Sequence, residues 1–444
     1  MGNEFAYRRQ QLISQLTPNS IVILSAAKSQ FQDYSKKYLF CQDSDFYYLT
    51  GLNEPALMVI LRGDGKDDYQ YILFHLPKNN EAEIWTGKRV GQIDYEQNYG
   101  ADNAYSLVML DKVMPDLLVN RRSIYFLIGK DTWFDSKVIY WLNKTRRMAD
   151  KVSYSVERSG IVFPNAFYDL SPLIQEARLL KSKNEIRKIR EVTSISAKAH
   201  GYLMRYCRVG LRESQLEAKF IHECMQSGCR TTAYPTIVGG GINACTLHYM
   251  DNNEILKDGD LVLIDGGGEM DFYAADITRT IPVNGKFTSS QRSIYELVLA
   301  AQVAGIAEVI PGNVWSRVQH VILEILVTGL VELGILTGNI DKLIQERKYQ
   351  PYYMHRSGHW LGLDVHDVGK YHNNGEYRVF EPSMVLTVEP GLYLTGVGLD
   401  SKWQGIGIRI EDDILVTEKG YEVLSHEAPK TIEDIEALML ETNL

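Results

Sequence analysis

The chain has 444 residues, 45% hydrophobic and 23% charged, a globular composition far from that of disordered chains. Its 47 Lys and Arg against 56 Asp and Glu leave a formal charge of -9 with no basic block, which excludes an electrostatic footprint for nucleic acid or an anionic membrane. Even the apolar stretch from Ile294 to Ile310 is broken by Glu296 and Glu308, so no membrane span is predicted. The N-terminus shows no signal-peptide core, and Ala6 stands where a myristoylation motif needs Ser or Thr. Five cysteines, Cys41, Cys207, Cys224, Cys229 and Cys245, contain no CxxC pair and predict reduced thiols in a cytoplasmic protein.

In chain order, residues 1–172 read as an α/β domain. Strand-like runs are Ile21 to Leu24, Phe46 to Leu49, Leu57 to Ile60 and Ile124 to Leu127, with helical periodicity from Ser136 to Arg147. Pro164 and Pro172 flank a polar connection that predicts the domain boundary. Ser182-Lys183-Asn184-Glu185 then has the pattern of a capping box opening a helix with Ile186, Ile189, Val192 and Ile195 on one face. A second box, Thr288 to Gln291, opens a helix bounded by Pro311-Gly312, and Val318, Val321, Ile322 and Ile325 stripe the next one. Gly239 to Ala244 loosely fits a dinucleotide fingerprint, but Cys245 to Tyr249 is strand-like rather than helical, so the segment reads as a loop beside His248.

Acids inside apolar strands are the strongest anomaly. Leu261 to Ile264 delivers Asp265; after Gly266-Gly267-Gly268 the chain returns through Asp276 into Ile277 to Ile281. Met384 to Val388 delivers Glu389 before Pro390-Gly391, and Ile406 to Ile410 delivers Glu411, an echo of the Asp265 strand. A buried carboxylate costs several kcal/mol unless it is paired or coordinated. Four of the ten histidines (His355, His359, His366 and His372) fall within one short stretch. His355 and His359 have zincin spacing, but Arg356 replaces the required Glu, and Gly358 and Gly362 oppose a helix. Four carboxylates with an imidazole form a hard ligand set for Mn or Mg, or else Co or Zn, and hold more charge than one ion balances. Two divalent ions are expected, bridged by Asp276 and Glu411.

These residues carry a resemblance. LIDGGGEMDFYAADITRT, HRSGHWLGLDVHD at 355–367, VEPGLY at 388–393 and GIGIRIEDD at 405–413 resemble the pita-bread metallopeptidases and, within them, the proline-specific aminopeptidase P group. CQDSDFYYLTGLNEP at 41–55 and EIWTGKRVGQ at 83–92 extend the likeness across nearly the whole chain. It implies an N-terminal α/β domain of the creatinase/ribonuclease H-like type at 1–172, for substrate access and oligomerisation. It implies a pita-bread catalytic domain with a curved antiparallel sheet at 173–444. Metal ligands fall on Asp265, Asp276, His359, Glu389 and Glu411. Catalytic roles fall on His248, His355, His366 and Glu389, with Tyr393 and Arg409 as supporting residues. The implied cofactor is a pair of Mn2+ ions, with Co2+, Zn2+ or Mg2+ as alternatives. The implied substrates are peptides with proline second, and the implied assembly is a homodimer or homotetramer in which Trp85 lines a neighbour's substrate entrance. One departure, Arg356-Ser357-Gly358 in place of a Gly-led sequence, falls beside His355 and leaves the ligand set intact.

The implied reaction is attack by an activated water on the first residue's carbonyl. Glu389 would shuttle the proton, and His248 and His366 would stabilise the intermediate. A prolidase restricted to dipeptides shares all five ligands and stays open as an alternative, separable by cleavage of longer peptides. A non-catalytic binding protein on the same fold would be expected to lack ligands. A methionine aminopeptidase needs no N-terminal domain.

Overall fold

The alternating pattern of the first part folds into one six-stranded mixed sheet. The structure is a computed structural model describing residues 2–27, 40–65, 68–152 and 162–441. The strands are β1 (Ser20–Ser25), β2 (Ala56–Arg62), β3 (Tyr69–His75), β4 (Asn103–Ser106), β5 (Ser123–Phe126) and β6 (Ala166–Asp169), in the order β4-β3-β2-β1-β5-β6. β1 to β3 pair antiparallel, while β4, β5 and β6 each join in parallel. Ile21, Ile23, Val59 and Phe74 share one face and pack with Phe134, Val138 and Trp141 of the helix Thr132–Val152. The intervening Val22, Met58 and Leu73 are buried as well, which is why these strands read as unbroken apolar runs.

One expectation is corrected here. Phe46 to Leu49 is not a strand but lies in the helix Ser44–Thr50. Asp43 accepts the Phe46 amide, and Gly51 ends the helix with φ 71°; four apolar residues hide this because periodicity cannot separate a short buried helix from a strand. The stretch between Pro164 and Pro172 contains β6, and Pro172 sits inside the helix Ser171–Leu179. The chain forms two compact units, Met1–Ala177 and Arg178–Leu444, so the division falls within that helix. In the first unit, the helix Asn80–Thr86 leaves Trp85 87% exposed.

The Arg178–Leu444 unit is built from antiparallel strands. They are β7 (Thr231–Thr232), β8 (Ile237–Gly240), β9 (Leu261–Asp265), β10 (Gly268–Met270), β11 (Tyr273–Ala274), β12 (Thr278–Pro282), β13 (His372–Asn373), β14 (Glu376–Tyr377), β15 (Val385–Val388), β16 (Gly391–Leu394), β17 (Ile406–Arg409), β18 (Asp412–Thr417) and β19 (Gly420–Val423). They form short sheets: β11-β10-β7, β12-β9-β8, β13-β14, β15-β18-β19 and β16-β17. Helices Lys183–Tyr206, Glu213–Gln226, Ser289–Ala307 and Trp315–Glu332 cover them, joining Val192, Phe220, Val298 and Ile322 to Ile264, Leu386, Ile408 and Ile414 in one core. Both predicted capping boxes form, at Ser182 with Glu185 and at Thr288 with Gln291. Among the described residues no helix is long and apolar enough to cross a membrane.

The segment after Gly240 differs from its reading as loop followed by strand. It is a 3-10 turn, Gly241–Cys245, and Cys245 to Tyr249 is not a strand. The cause is Glu213, wholly buried at a helix start, whose carboxylate accepts from the Gly240 amide, Asn243 Nδ2, the Tyr249 hydroxyl and the Glu254 amide. This one acid gathers the segment into a turn and leaves His248 exposed.

Candidate metal centre

Asp265 ends β9 and is in register with Thr278 of β12, so the return strand brings Asp276 back beside it. The glycines between them permit this approach: a Cβ on Gly267 would stand 1.7 Å from the Ala275 carbonyl oxygen. The Tyr234 hydroxyl lies 2.6 Å from Asp265 Oδ1 and 2.5 Å from Asp276 Oδ1. A phenol donates one hydrogen, so it can serve only one of the two carboxylates at a time. Glu411 joins from just before β18: its amide donates to the Thr278 carbonyl, and the Thr278 hydroxyl donates to its Oε2 at 2.6 Å. The two halves of the sequence echo thus deliver Asp265 and Glu411 to either side of Thr278.

The histidine segment lies along β15, with Thr387 bonding to His359 through both backbone and hydroxyl, and the Glu389 amide donating to the Ser357 carbonyl. A Cβ on Gly358 would fall 2.0 Å from the Thr387 oxygen, so only glycine allows this contact. His359 Nδ1 is 2.9 Å from the Trp360 carbonyl, which can only accept. Nδ1 therefore keeps its hydrogen, and Nε2, 3.2 Å from Asp276, is the nitrogen that donates to it when protonated and is free for a cation when not. Glu389 Oε1 is 3.9 Å from the same nitrogen.

Arg409 donates to Asp265 Oδ2 at 2.6 Å and to the Tyr393 hydroxyl at 3.0 Å. Tyr393 in turn lies 2.9 Å from His355 Nε2, and His355 Nδ1 faces the Arg356 carbonyl at 2.8 Å. This chain has one consistent direction: Arg409 donates to Tyr393, Tyr393 to a neutral His355, and His355 to the backbone. Burial, aided by Arg409, holds His355 down at about 4. His366 stacks edge-on with His359 at 4.2 Å between ring centres, and burial with the His359 charge depresses it. Asp367, in a buried pair with Arg178 and Lys181, anchors the turn behind His366.

Nine of the ten residues singled out in the sequence line one cavity of about 480 Å³; Tyr393 stands behind it, touching His355 and Arg409. Ligand atoms of Asp276, His359 and Glu411 lie within 4.8 Å of one another, and Asp265 and Glu389 line the same space. Sequence reasoning missed Tyr234, Thr278 and the wholly buried Asp413, which accepts from the Asp276 amide. Only Asp413 carried a signal, as a further acid next to Glu411 in a strand. Burial, then Asp276, Glu389 and Asp265, pushes Glu411 well above the carboxylate range. Burial raises Asp265 against the pull of Arg409. Burial alone would lower His359, but Asp276 and Glu389 push it up to about 9. The donor set therefore fits divalent cations: hard oxygens and one imidazole, with negative charge in excess of Arg409 and His359.

A cation must displace the proton of His359 and any proton held by the raised Glu411 carboxyl. Calorimetric titration of Mn2+ in buffers of different ionisation enthalpy is expected to show proton release. Affinity should climb through about 7, where Glu389 titrates, towards about 9, where His359 does. Affinity that is flat across that window, without proton release, would mean that these groups do not share one cation site.

Residues 187–418 match the profile of Metallopeptidase family M24, and residues 5–125 that of the Aminopeptidase P, N-terminal domain. The Xaa-Pro aminopeptidase of Escherichia coli is 42% identical over 439 residues, 98% of this chain and 97% of the relative. The Xaa-Pro aminopeptidase of Haemophilus influenzae is 40% identical over 438 residues, with the same coverage of both chains. The solved structure of the Pseudomonas aeruginosa aminopeptidase PepP superposes with a TM-score of 0.95 at 43% identity, covering 100% of this chain and 98% of that one.

Proposed function

The chain belongs to metallopeptidase family M24 and is an Xaa-Pro aminopeptidase, and on that premise we propose how its own residues perform the hydrolysis. The observation that carries the proposal is the single cavity in which Asp265, Asp276, His359, Glu389 and Glu411 converge beside three further histidines. Those five would hold the divalent ions, Mn2+ first among Mn2+, Co2+, Zn2+ and Mg2+. When bound, the ions supply Lewis-acid polarisation of the scissile carbonyl and activation of water.

Glu389 is the proton carrier. Burial, with the charges of Asp276 and Asp265, pushes its carboxyl up to about 7 against the pull of His359 and Arg409. With cations bound, which would lower that value, it would take the proton of the attacking water and hand it to the leaving proline nitrogen. His248 and His366, both exposed on the cavity wall, donate hydrogen bonds to the oxygen on which charge develops. His355, held neutral and oriented by Tyr393 and Arg409, binds the substrate on its proline side. The carboxylate-rich wall takes the free amine, which accounts for removal of a single residue. An imide bond before proline offers no N–H, so the pocket must select by shape. The Met1–Ala177 unit serves substrate access and assembly into dimers or tetramers, with Trp85 as an exposed contact residue.

The test is a matched set of peptides that differ only in Pro or Ala at the second position, in lengths from two to eight residues. Cleavage is expected only with proline and beyond the dipeptide. Equal rates for Pro and Ala would reject the specificity, and cleavage of dipeptides alone would indicate a prolidase.

A further inference from the structure

Beside the metal centre lies a second cavity, of about 460 Å³, with a far less acidic lining. The metal cavity is lined by five carboxylates, Asp265, Asp276, Asp367, Glu389 and Glu411. Among the described residues, no acid lines the second cavity; its polar groups include the Arg356 guanidinium and the imidazoles of His320, His355 and His372. In a chain of net charge -9 that contrast is local and marked. The two spaces adjoin, because His355, Arg356, Gly358 and Tyr371 line both.

Arg356 is the fixed charge on this boundary. Its guanidinium lies 5.9 Å from the centre of the Tyr371 ring, and among the described residues no carboxylate pairs with it. His320, by contrast, already faces Glu324 at 3.3 Å, and the His372 ring rests against Tyr377 at 4.2 Å between centres. The walls are completed by Trp315 and Leu323, which suit an apolar side chain.

We propose that this second cavity is the subsite for the part of the peptide beyond proline, and that Arg356 pairs with the C-terminal carboxylate of short substrates, tripeptides above all. The proposal rests on the Xaa-Pro aminopeptidase reading and deepens it. A short peptide is itself a dipole, positive at its amine and negative at its carboxylate. The amine belongs among the carboxylates of the metal cavity and the carboxylate beyond the boundary, on the Arg356 side. The reach agrees: an extended chain advances about 3.3–3.6 Å per residue, so the third residue's carboxylate lies roughly 7 Å beyond the scissile carbonyl. His355 and Arg356 stand on the wall that the two cavities share, where a chain leaving the metal cavity would pass.

The experiment compares kcat/KM for Xaa-Pro-Xaa tripeptides ending in a free carboxylate or in a carboxamide, in the metal-loaded enzyme and in Arg356→Gln and Arg356→Lys. The acid is expected to be favoured by about threefold to tenfold in the unaltered protein, as a solvent-accessible ion pair allows. The ratio should fall to about one in Arg356→Gln through a higher KM for the acid, and recover in part in Arg356→Lys. An octapeptide pair should show a ratio near one throughout, since its carboxylate lies beyond the cavity. Ratios within one variant cancel any general damage to the fold. If both tripeptides are cleaved and Arg356→Gln keeps the acid preference, or the unaltered protein has none, the subsite is wrong and the peptidase reading stands. If no Xaa-Pro peptide is cleaved, the peptidase reading falls and takes the subsite with it.

Discussion

Asp276→Ala is expected to strip the centre of its cations and to lower kcat/KM by more than about 10³-fold, beyond the 10–100-fold typical of groups that only orient a ligand. His366→Ala should lower kcat by about 10²–10³-fold with metal content intact, as loss of one donor to a developing oxyanion does. The contrast follows from position. Asp276 touches Tyr234 and His359 and belongs to the tightest group of ligand atoms, whereas His366 stands exposed on the cavity wall. Metal analysis by mass spectrometry beside steady-state kinetics checks both. Metal retained by Asp276→Ala, or lost from His366→Ala, would overturn the division of roles.

Arg279→Leu is expected to cost the second unit about 3–5 kcal/mol, because it leaves a buried carboxylate without its main cation. Arg279 is 1% exposed and donates to the carbonyls of Thr278, Glu411, Ala428 and Pro429 and, at 2.7 Å, to Asp412. Despite burial, Arg279 and Lys430 hold Asp412 far below the usual carboxylate range. Its folded pKa is lowered, so its contribution is complete above about pH 4, its unfolded value, and is lost as acid protonates it in the fold. The deficit of the variant should therefore be largest near neutrality and shrink in strong acid. Calorimetry should show the melting temperature reduced by roughly 6–20 °C at pH 7. A reduction under about 2 °C would mean that the carbonyl partners and Lys430 suffice without Arg279.

The acids were legible because each breaks a rule that one residue's neighbourhood reveals: a charge directly after an apolar run such as Leu261 to Ile264 or Met384 to Val388. Helix starts were legible for a similar reason, since the boxes at Ser182 and Thr288 are local hydrogen-bond patterns. What escaped depends on partners far along the chain. Tyr234 is an unremarked tyrosine until β9 and β12 bring two aspartates to its hydroxyl. The turn after Gly240 cannot be read without Glu213, which lies 27 residues earlier. The helix Ser44–Thr50 was misread because its caps, Asp43 and Gly51, are single residues while its apolar content mimics a strand. Arg356 was visible as a departure, but its meaning required the second cavity.

The separation of the ligands along the chain also has a consequence for how the protein is made. Arg409 meets Asp265 across 144 residues, and Glu411 meets Thr278 across 133. No short segment holds a complete site, so an ion has nothing to organise early in folding, unlike a zinc finger whose ligands share one small loop. Long-range closure of this kind is slow, because the entropy of the intervening chain is lost before the contact rewards it. On the ribosome, Asp265 and Asp276 emerge well ahead of Glu389 and Glu411, and the cavity closes only after β17 and β18 have left the exit tunnel. A chain truncated before Glu411 would lack one of the five proposed ligands and the strand that follows it, so metal capture is expected only once synthesis has passed β18.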